Sequence, residues 1–75
     1  METKYQYSPP EITVVLQPEE KRFALPRPKT VLQLLHKLGI KPGTALIIRE
    51  QGLLTPDREI LPNDVITVRI VTSSG

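Results

Sequence analysis

One short amphipathic helix, set between two groups of strands, is the feature that most restricts the fold of this chain. Its apolar residues recur at the three- and four-residue spacing of a single helix face. They are Val31, Leu34, Leu35 and Leu38. Thr30 is the predicted N-cap, Gln33 completes a capping-box pattern, and Gly39 predicts a left-handed stop. Since a helix of about nine residues is marginal by itself, this apolar face must pack against a sheet.

Alternating apolar residues predict strands on both sides of the helix. Residues 12–16 and 23–25 flank a polar turn and predict an antiparallel hairpin. Residues 45–49 form a near-continuous apolar run, which is typical of a strand buried on both faces. Residues 53–54 begin a short irregular element, residues 60–61 are predicted to plug a loop, and residues 65–71 form the last strand. This order predicts an α+β fold, with one helix packed on one face of a mixed sheet of four or five strands.

Length and composition restrict the remaining possibilities. The 75 residues allow one small domain, which we place at residues 12–71, between a flexible leader at residues 1–11 and a mobile tail at residues 72–75. The absence of cysteine excludes a disulfide scaffold, a thiolate zinc site and a cysteine nucleophile. The N-terminus does not resemble a signal peptide, and no apolar run is long enough for a membrane span. We therefore expect a cytoplasmic protein without membrane contact.

Neither the charges nor the titratable side chains indicate a catalytic or metal site. Ten basic and eight acidic residues are interspersed and give a net charge of +2, and the few aromatic residues do not supply a stacking platform for nucleic acid. His36 is expected on the exposed side of the helix. Asp57, Glu59 and Asp64 are expected in turns and caps, since no histidine or cysteine lies near them in sequence. We expect no nucleic-acid partner, no catalytic residue and no bound metal.

The tail is the segment with the clearest functional pattern. Thr72, Ser73 and Ser74 are small, and Gly75 ends the sequence with a carboxylate directly after a strong strand. A frayed terminus of small polar residues is common, so composition alone favours no function here. Its position after the last predicted strand favours a terminus presented to another protein.

Three motifs, in this order and spacing, resemble the small ThiS and MoaD sulfur-carrier proteins, which have the ubiquitin-like β-grasp fold. Residues 30–39 match the helix pattern T-V-x-x-L-L-x-x-L-G, and residues 47–54 lie where the family has V-x-x-N-G-x-x-V. Residues 61–68 lie where it has L-x-x-G-D-x-I/V-x-V/I, with Asp64 matching the aspartate and Asn63 replacing the glycine. The resemblance covers residues 30–75, and the first hairpin agrees in pattern only.

The resemblance implies a carrier that is the substrate of another enzyme and not an enzyme itself. An adenylating enzyme of the ThiF/MoeB type would use ATP to activate the carboxylate of Gly75, and sulfur transfer would give a thiocarboxylate. The carrier would bind no cofactor of its own. A sulfur-accepting synthase would then use the sulfur for the thiamine thiazole, molybdopterin or a thiolated tRNA. Thr72, Ser73 and Ser74 would thread into the activating enzyme, because narrow residues pass most easily into an enclosed nucleotide site.

Two further hypotheses remain beside the sulfur carrier. Ser74 stands where the family has its penultimate glycine, which favours a β-grasp binding module that is never activated. A ubiquitin-like modifier conjugated to lysines would share the activation step. Arg49, Thr67 and Arg69 are predicted on neighbouring strands, where they would line a sheet face that docks the partner, although an ordinary solvated face explains them equally well.

Overall fold

The predicted order of strands and helix is the one found in the structure, a computed structural model that describes residues 10–71. Its elements are β1 Glu11–Gln17, β2 Lys21–Pro26, α1 Val31–Leu38, β3 Ala45–Arg49, β4 Gly52–Leu53 and β5 Val65–Ile70. The predicted α+β class with one helix and a mixed sheet is therefore confirmed. β1 already begins at Glu11, so this residue belongs to the sheet and not to the predicted leader. The rest of that leader up to residue 9, and the tail at residues 72–75, lie outside the described part of the chain.

The five strands form one sheet in the order β2-β1-β5-β3-β4. β1 and β2 pair antiparallel as the predicted hairpin, and β3 is antiparallel to both β4 and β5. β1 and β5 are parallel, which is possible because α1 and β3 lie between them in the sequence and provide the crossover. The last strand in the sequence is thus the middle strand of the sheet.

One face of this sheet and one face of α1 enclose the core. Side chains alternate between the two faces of a strand, and the core side of the sheet receives every second apolar residue of β1, β3 and β5. The buried hydrophobic residues of this core are Ile12, Val14, Val31, Leu34, Leu35, Ile47, Ile60, Ile66 and Val68. Buried polar or charged side chains are absent among the described residues. Each fully buried aliphatic side chain contributes roughly 1.5–3 kcal/mol to folding, so this small cluster provides most of the packing energy.

The helix begins and ends as its sequence predicts. The Thr30 hydroxyl accepts a hydrogen bond from the backbone N–H of Gln33 at 3.2 Å. The Gln33 amide oxygen accepts from the backbone N–H of Lys29 at 2.9 Å, one residue before the donor expected in a capping box. Gly39 follows with φ 71°, a left-handed conformation that a residue without Cβ adopts at little cost. Asn63, which replaces the glycine of the family pattern, is also left-handed, with φ 66°, as its side chain tolerates.

Two predictions of burial are wrong in part. β3 is covered on one face only: Ile47 is buried, whereas Leu46 remains 38% exposed because α1 covers just one side of the sheet. Of the two residues predicted to plug a loop, Ile60 is fully buried, but Leu61 is 47% exposed. A run of apolar letters gives no information about how many sides of a sheet are covered, because that depends on the number of helices available.

α1 is eight residues long, far below the roughly 20 residues that cross a bilayer. No helix among residues 10–71 is long and apolar enough to span a membrane.

Candidate functional site

The middle strand leads the chain to its C-terminal end. β5 is paired on both sides, with β1 and with β3, and the backbone N–H of Val71 donates to the carbonyl of Thr44 at 2.9 Å. Val71, the last described residue, is therefore still held by the sheet. The proposed thiocarboxylate residue Gly75 and the proposed threading residues Thr72, Ser73 and Ser74 lie outside the described residues. The four of them follow directly on a backbone fixed at one end of the sheet.

The sheet side turned away from α1, which we name the open face, has a partly apolar surface. Register and alternation place four exposed apolar side chains on it. These are Leu46, Leu53, Val65 and Val71, with exposed fractions of 38%, 67%, 51% and 40%. Exposed apolar side chains on one contiguous face are typical of a docking surface, whereas scattered ones need no explanation. The open face thus carries several exposed apolar side chains.

Polar side chains lie among these apolar ones on the open face. Arg69 is at the end of β5, and its Nε donates to the side-chain oxygen of Gln17 on β1 at 3.0 Å. Thr67 precedes it on the same face and is half-buried. Arg22 lies in the same row as Thr67, on the outer strand β2. The predicted residues Thr67 and Arg69 therefore share one surface, which also carries Val71 at its end.

Arg49 does not belong to that surface, and the prediction that it lines one face together with Thr67 and Arg69 is incorrect. Its register partner on β5 is the buried Ile66, so its side chain lies on the helix side of the sheet. There its guanidinium contacts the carboxylate of Asp64, with Nη2 and Nε at 2.7 Å and 3.2 Å from Oδ2. A one-residue shift in register exchanges the faces of a strand. Because residues 45–48 are all apolar, the sequence alone does not show which face of β3 is buried, and therefore does not show on which face Arg49 lies.

Asp64 serves as a structural brace, in agreement with the turn and cap role predicted for it. The same Oδ2 atom accepts a hydrogen bond from the backbone N–H of Leu61 at 2.8 Å, and Arg49 also donates to the carbonyl of Glu59 at 2.8 Å. The carbonyl of Asp64 accepts from Thr13 on β1 at 2.9 Å. Together these bonds tie the loop before β5 to two strands.

The remaining titratable candidates do not come together in a reactive group. Asp57 accepts a hydrogen bond from the Thr55 hydroxyl. This bond, followed by a backbone hydrogen bond and the nearby Arg58 charge, lowers the pKa of the Asp57 carboxyl. His36 is exposed on α1, as predicted. Within residues 10–71, no three histidine, aspartate or glutamate side chains are grouped as they would be around a metal ion.

The N-terminus of α1 is already occupied by the chain itself. The backbone N–H of Val31 donates to the carbonyl of Arg58 at 3.0 Å, and that of Leu32 donates to Pro56 at 3.0 Å. The Gln33 N–H is bonded to the Thr30 hydroxyl. Anion sites at helix termini depend on free N–H groups of the first turn, and the first three here have partners. A phosphate site at this position is excluded by the hydrogen bonding.

The comparisons with known proteins leave the family undetermined. No protein-family model matches the chain, and no curated protein matches it. The functional argument therefore depends on the geometry of the sheet and on the residues that follow β5.

The apolar surface of the open face is the feature that sequence reasoning missed. Residues 45–49 were expected to be covered on both faces, and residues 53–54 were expected to be irregular. In the structure Leu53 pairs with Ile48 across β3 and β4, which brings its side chain onto the open face. The available signal was the count of predicted helices, because one helix covers only one side of a sheet.

Proposed function

We propose that this chain is a sulfur carrier with the ubiquitin-like β-grasp fold and that Gly75 is the residue converted to a thiocarboxylate. The observation that carries the proposal is the position of β5. It is the middle strand, it is held on both sides, and it is followed by Val71, which is hydrogen-bonded to Thr44 and belongs to the exposed apolar side chains of the open face. A partner that covers this face would also contact Val71, the residue that precedes the tail in the sequence.

The strand order supports the finer assignment to the β-grasp family. A hairpin, a crossing helix and a return to a middle strand parallel to β1 give the sheet order β2-β1-β5-β3-β4. The helix caps at Thr30 and Gly39 and the left-handed turn at Asn63 occur where the family motifs have them. These features agree with the resemblance seen in the sequence, and they are independent of the tail.

Adenylation and sulfur transfer at a C-terminal carboxylate require a narrow terminus and need no catalytic group on the carrier. The carboxylate of Gly75 would attack the α-phosphate of ATP in the activating enzyme and release pyrophosphate, which leaves an acyl-adenylate. A sulfur nucleophile would then form the carbon–sulfur bond and displace AMP. The activating enzyme supplies the nucleotide site and the electrostatic stabilisation, so the carrier contributes only a positioned carboxylate.

The open face is the proposed contact with this ATP-using enzyme, which is of the ThiF/MoeB type, and later with the sulfur-accepting synthase. Leu46, Leu53 and Val71 would provide the apolar centre, and Arg69 and Thr67 the polar contacts. Central apolar anchors surrounded by polar groups are typical of interface hot spots. Since both partners need the same tail, the carrier binds them in turn. ATP-dependent activation agrees with the cytoplasmic location that we propose.

The deciding experiment is intact mass spectrometry of the protein from its native host, purified without thiol-modifying reagents. A species heavier by the replacement of one oxygen by sulfur, mapped to Gly75, is the expected result. The matched assay is ATP–pyrophosphate exchange with the host adenylating enzymes, in which deletion of Gly75 abolishes exchange and leaves the folded state unchanged. Exchange that persists after this deletion would overturn the proposal.

A protein-binding module that is never activated is the second candidate, favoured by the exposed apolar side chains of the open face. Under this hypothesis partner capture depends on Leu53 and does not depend on residues 73–75. A partner recovered from lysate with the full chain, retained on deletion of residues 73–75 and lost on Leu53→Ser, would favour the binding module. Isopeptide-linked products in cells would instead indicate a protein modifier.

A further inference from the structure

The outer edge of β3 has a gap in the sheet, which we name the edge notch. β4 is only two residues long and pairs with Ile48 and Arg49, so the first half of β3 has no strand on its outer side among the described residues. A cavity of about 270 Å³ occupies this position. Its lining includes Pro42 and Pro56 from the loops that flank β3 and β4.

The backbone of Ala45 is directed into the edge notch. Because Val71 donates to the Thr44 carbonyl, the alternation of an antiparallel ladder turns the C=O of Thr44 toward β5 and the N–H and C=O groups of Ala45 and Ile47 outward. The Ile47 carbonyl accepts a hydrogen bond from the backbone N–H of Leu54 at 2.8 Å. Within residues 10–71, Ala45 has no strand partner on its outward side. An exposed edge of this kind is a template for another chain.

The side chains around the edge notch come from both faces of the sheet. Leu46 and Leu53 line it from the open face, while Leu35 and Leu54 line it from the helix side. A strand inserted at this position would direct its side chains alternately to the two faces. Both sets would meet apolar surface. The edge notch therefore fits an extended segment with apolar side chains on successive residues better than it fits a helix.

Lys41 places a positive charge next to the edge notch. A second cavity of about 350 Å³ adjoins it, shares Leu35 and Pro42 with it, and is lined also by His36 and Lys41. Aspartate and glutamate are absent from the residues lining either cavity. A bound segment would be favoured by a carboxylate at this end, since complementary charges select partners and raise association rates.

We propose that the edge notch binds an extended segment of a partner protein, with successive apolar residues in the middle and carboxylates at one end. The segment pairs with the outward backbone groups of Ala45 as a short added strand, places apolar side chains beside Leu46 and Leu54, and directs its acidic end to Lys41. Added strands gain affinity from main-chain hydrogen bonds and specificity from the pockets between them. With so few residues in contact, the complex is of the transient class.

The edge notch shares Leu46 and Leu53 with the open face, but it does not depend on Gly75, the residue proposed for activation. Binding at Ala45 makes no use of Gly75, so a chain without Gly75 binds the segment as well as the full chain does. Failure of sulfur loading and failure of this inference are therefore distinguishable.

The test uses the full chain and a synthetic peptide of alternating valine and isoleucine with two glutamates at one end. In an amide NMR titration, the expected shifts are concentrated at the residues that line the edge notch. Ala45→Pro removes one outward N–H and is expected to weaken binding about three- to tenfold, the loss of one hydrogen bond. Proline is tolerated on an edge strand where the N–H faces outward.

Ala24→Pro is the matched control, on the opposite edge of the sheet. Since Arg27 donates to the Pro10 carbonyl, the ladder alternation directs the Ala24 N–H outward from β2. This variant is therefore expected to bind the peptide normally.

Lys41→Glu changes the charge at an exposed position. It should weaken binding of the peptide with glutamates and strengthen binding of a peptide in which lysines replace them. Equal loss in both proline variants, or shifts confined to Thr67 and Arg69 on the open face, would overturn the proposal. So would self-association that Ala45→Pro abolishes, because it would assign the edge notch to a second copy of the chain.

Discussion

The guanidinium of Arg49 lies 2.7 Å from the carboxylate of Asp64, with side chains only 21% and 14% exposed, respectively. This pair joins the end of β3 to the turn before β5. It also explains why Arg49 is unsuited to partner contact, since its donors are already bonded to Asp64 and to the Glu59 carbonyl. The loop that it holds contains Ile60, which is completely buried. The pair therefore stabilises the loop that places Ile60 in the core.

Replacing Arg49 by alanine is expected to lower the free energy of unfolding by about 1–3 kcal/mol, because Asp64 loses its charged partner in a half-buried position. Urea denaturation monitored by circular dichroism measures this free energy of unfolding for the variant and for the unchanged protein. Arg69→Ala serves as the control, since Arg69 is exposed and its one bond to Gln17 lies on the open face. A loss as large for Arg69→Ala as for Arg49→Ala would contradict the assignment of the brace.

Changing Leu53 to serine is expected to weaken partner binding without affecting stability, because this side chain is 67% exposed. Loss of a central apolar anchor typically costs about 1–2 kcal/mol in binding, or roughly tenfold in KM of the adenylating enzyme for the carrier. Leu61→Ser is the matched control. Leu61 is also exposed, but it lies in the loop on the helix side, beside Arg49 and Glu59. An equal effect of both variants would show that the open face is not the contact.

Substituting alanine for Gly39 is expected to destabilise the protein by about 1 kcal/mol, because its φ of 71° is left-handed and an added Cβ makes that conformation costly. No steric contact contributes, since an added Cβ would meet nothing within 4 Å. Gly52→Ala is the comparison: its added Cβ would lie at an ordinary 3.9 Å from the Arg49 carbonyl. In thermal unfolding, Gly52→Ala should have a higher Tm than Gly39→Ala.

Replacing Thr55 by valine is expected to raise the pKa of Asp57 toward its ordinary value, because the Thr55 hydroxyl is the largest cause of the lowering. Carbon-13 NMR titration of the carboxyl group measures the change. A carboxyl group whose pKa is lower in the folded state than in the unfolded state stabilises the folded state at pH values above the unfolded-state pKa. This contribution is lost as the pH falls through the folded-state pKa. Thr55→Val should therefore reduce the acid dependence of stability. Thr44→Val removes a hydroxyl that is bonded to a carbonyl, and should leave the Asp57 titration unchanged.

Local patterns determined the elements of this protein. The spacing of Val31, Leu34 and Leu35 predicted the helix and its buried face, and Thr30 and Gly39 predicted its ends. These features depend on residues a few positions apart, whose interactions are fixed by helix geometry. The α+β class followed from the order of elements, because a single short helix needs a sheet to cover its apolar face.

The tertiary structure alone decided which side of the sheet each residue of β3 occupies. Arg49 and Arg69 both lie near the end of an apolar strand in the sequence. The register between β3 and β5 nevertheless places them on opposite faces, with Arg49 beside Asp64 and Arg69 on the open face. Because β4 pairs only with Ile48 and Arg49, the outward backbone groups of Ala45 have no strand beside them within residues 10–71. Strand pairing joins residues that are distant in sequence, and a shift of one position exchanges the faces. For that reason the composition of the open face and the presence of the edge notch could be read only from the folded chain.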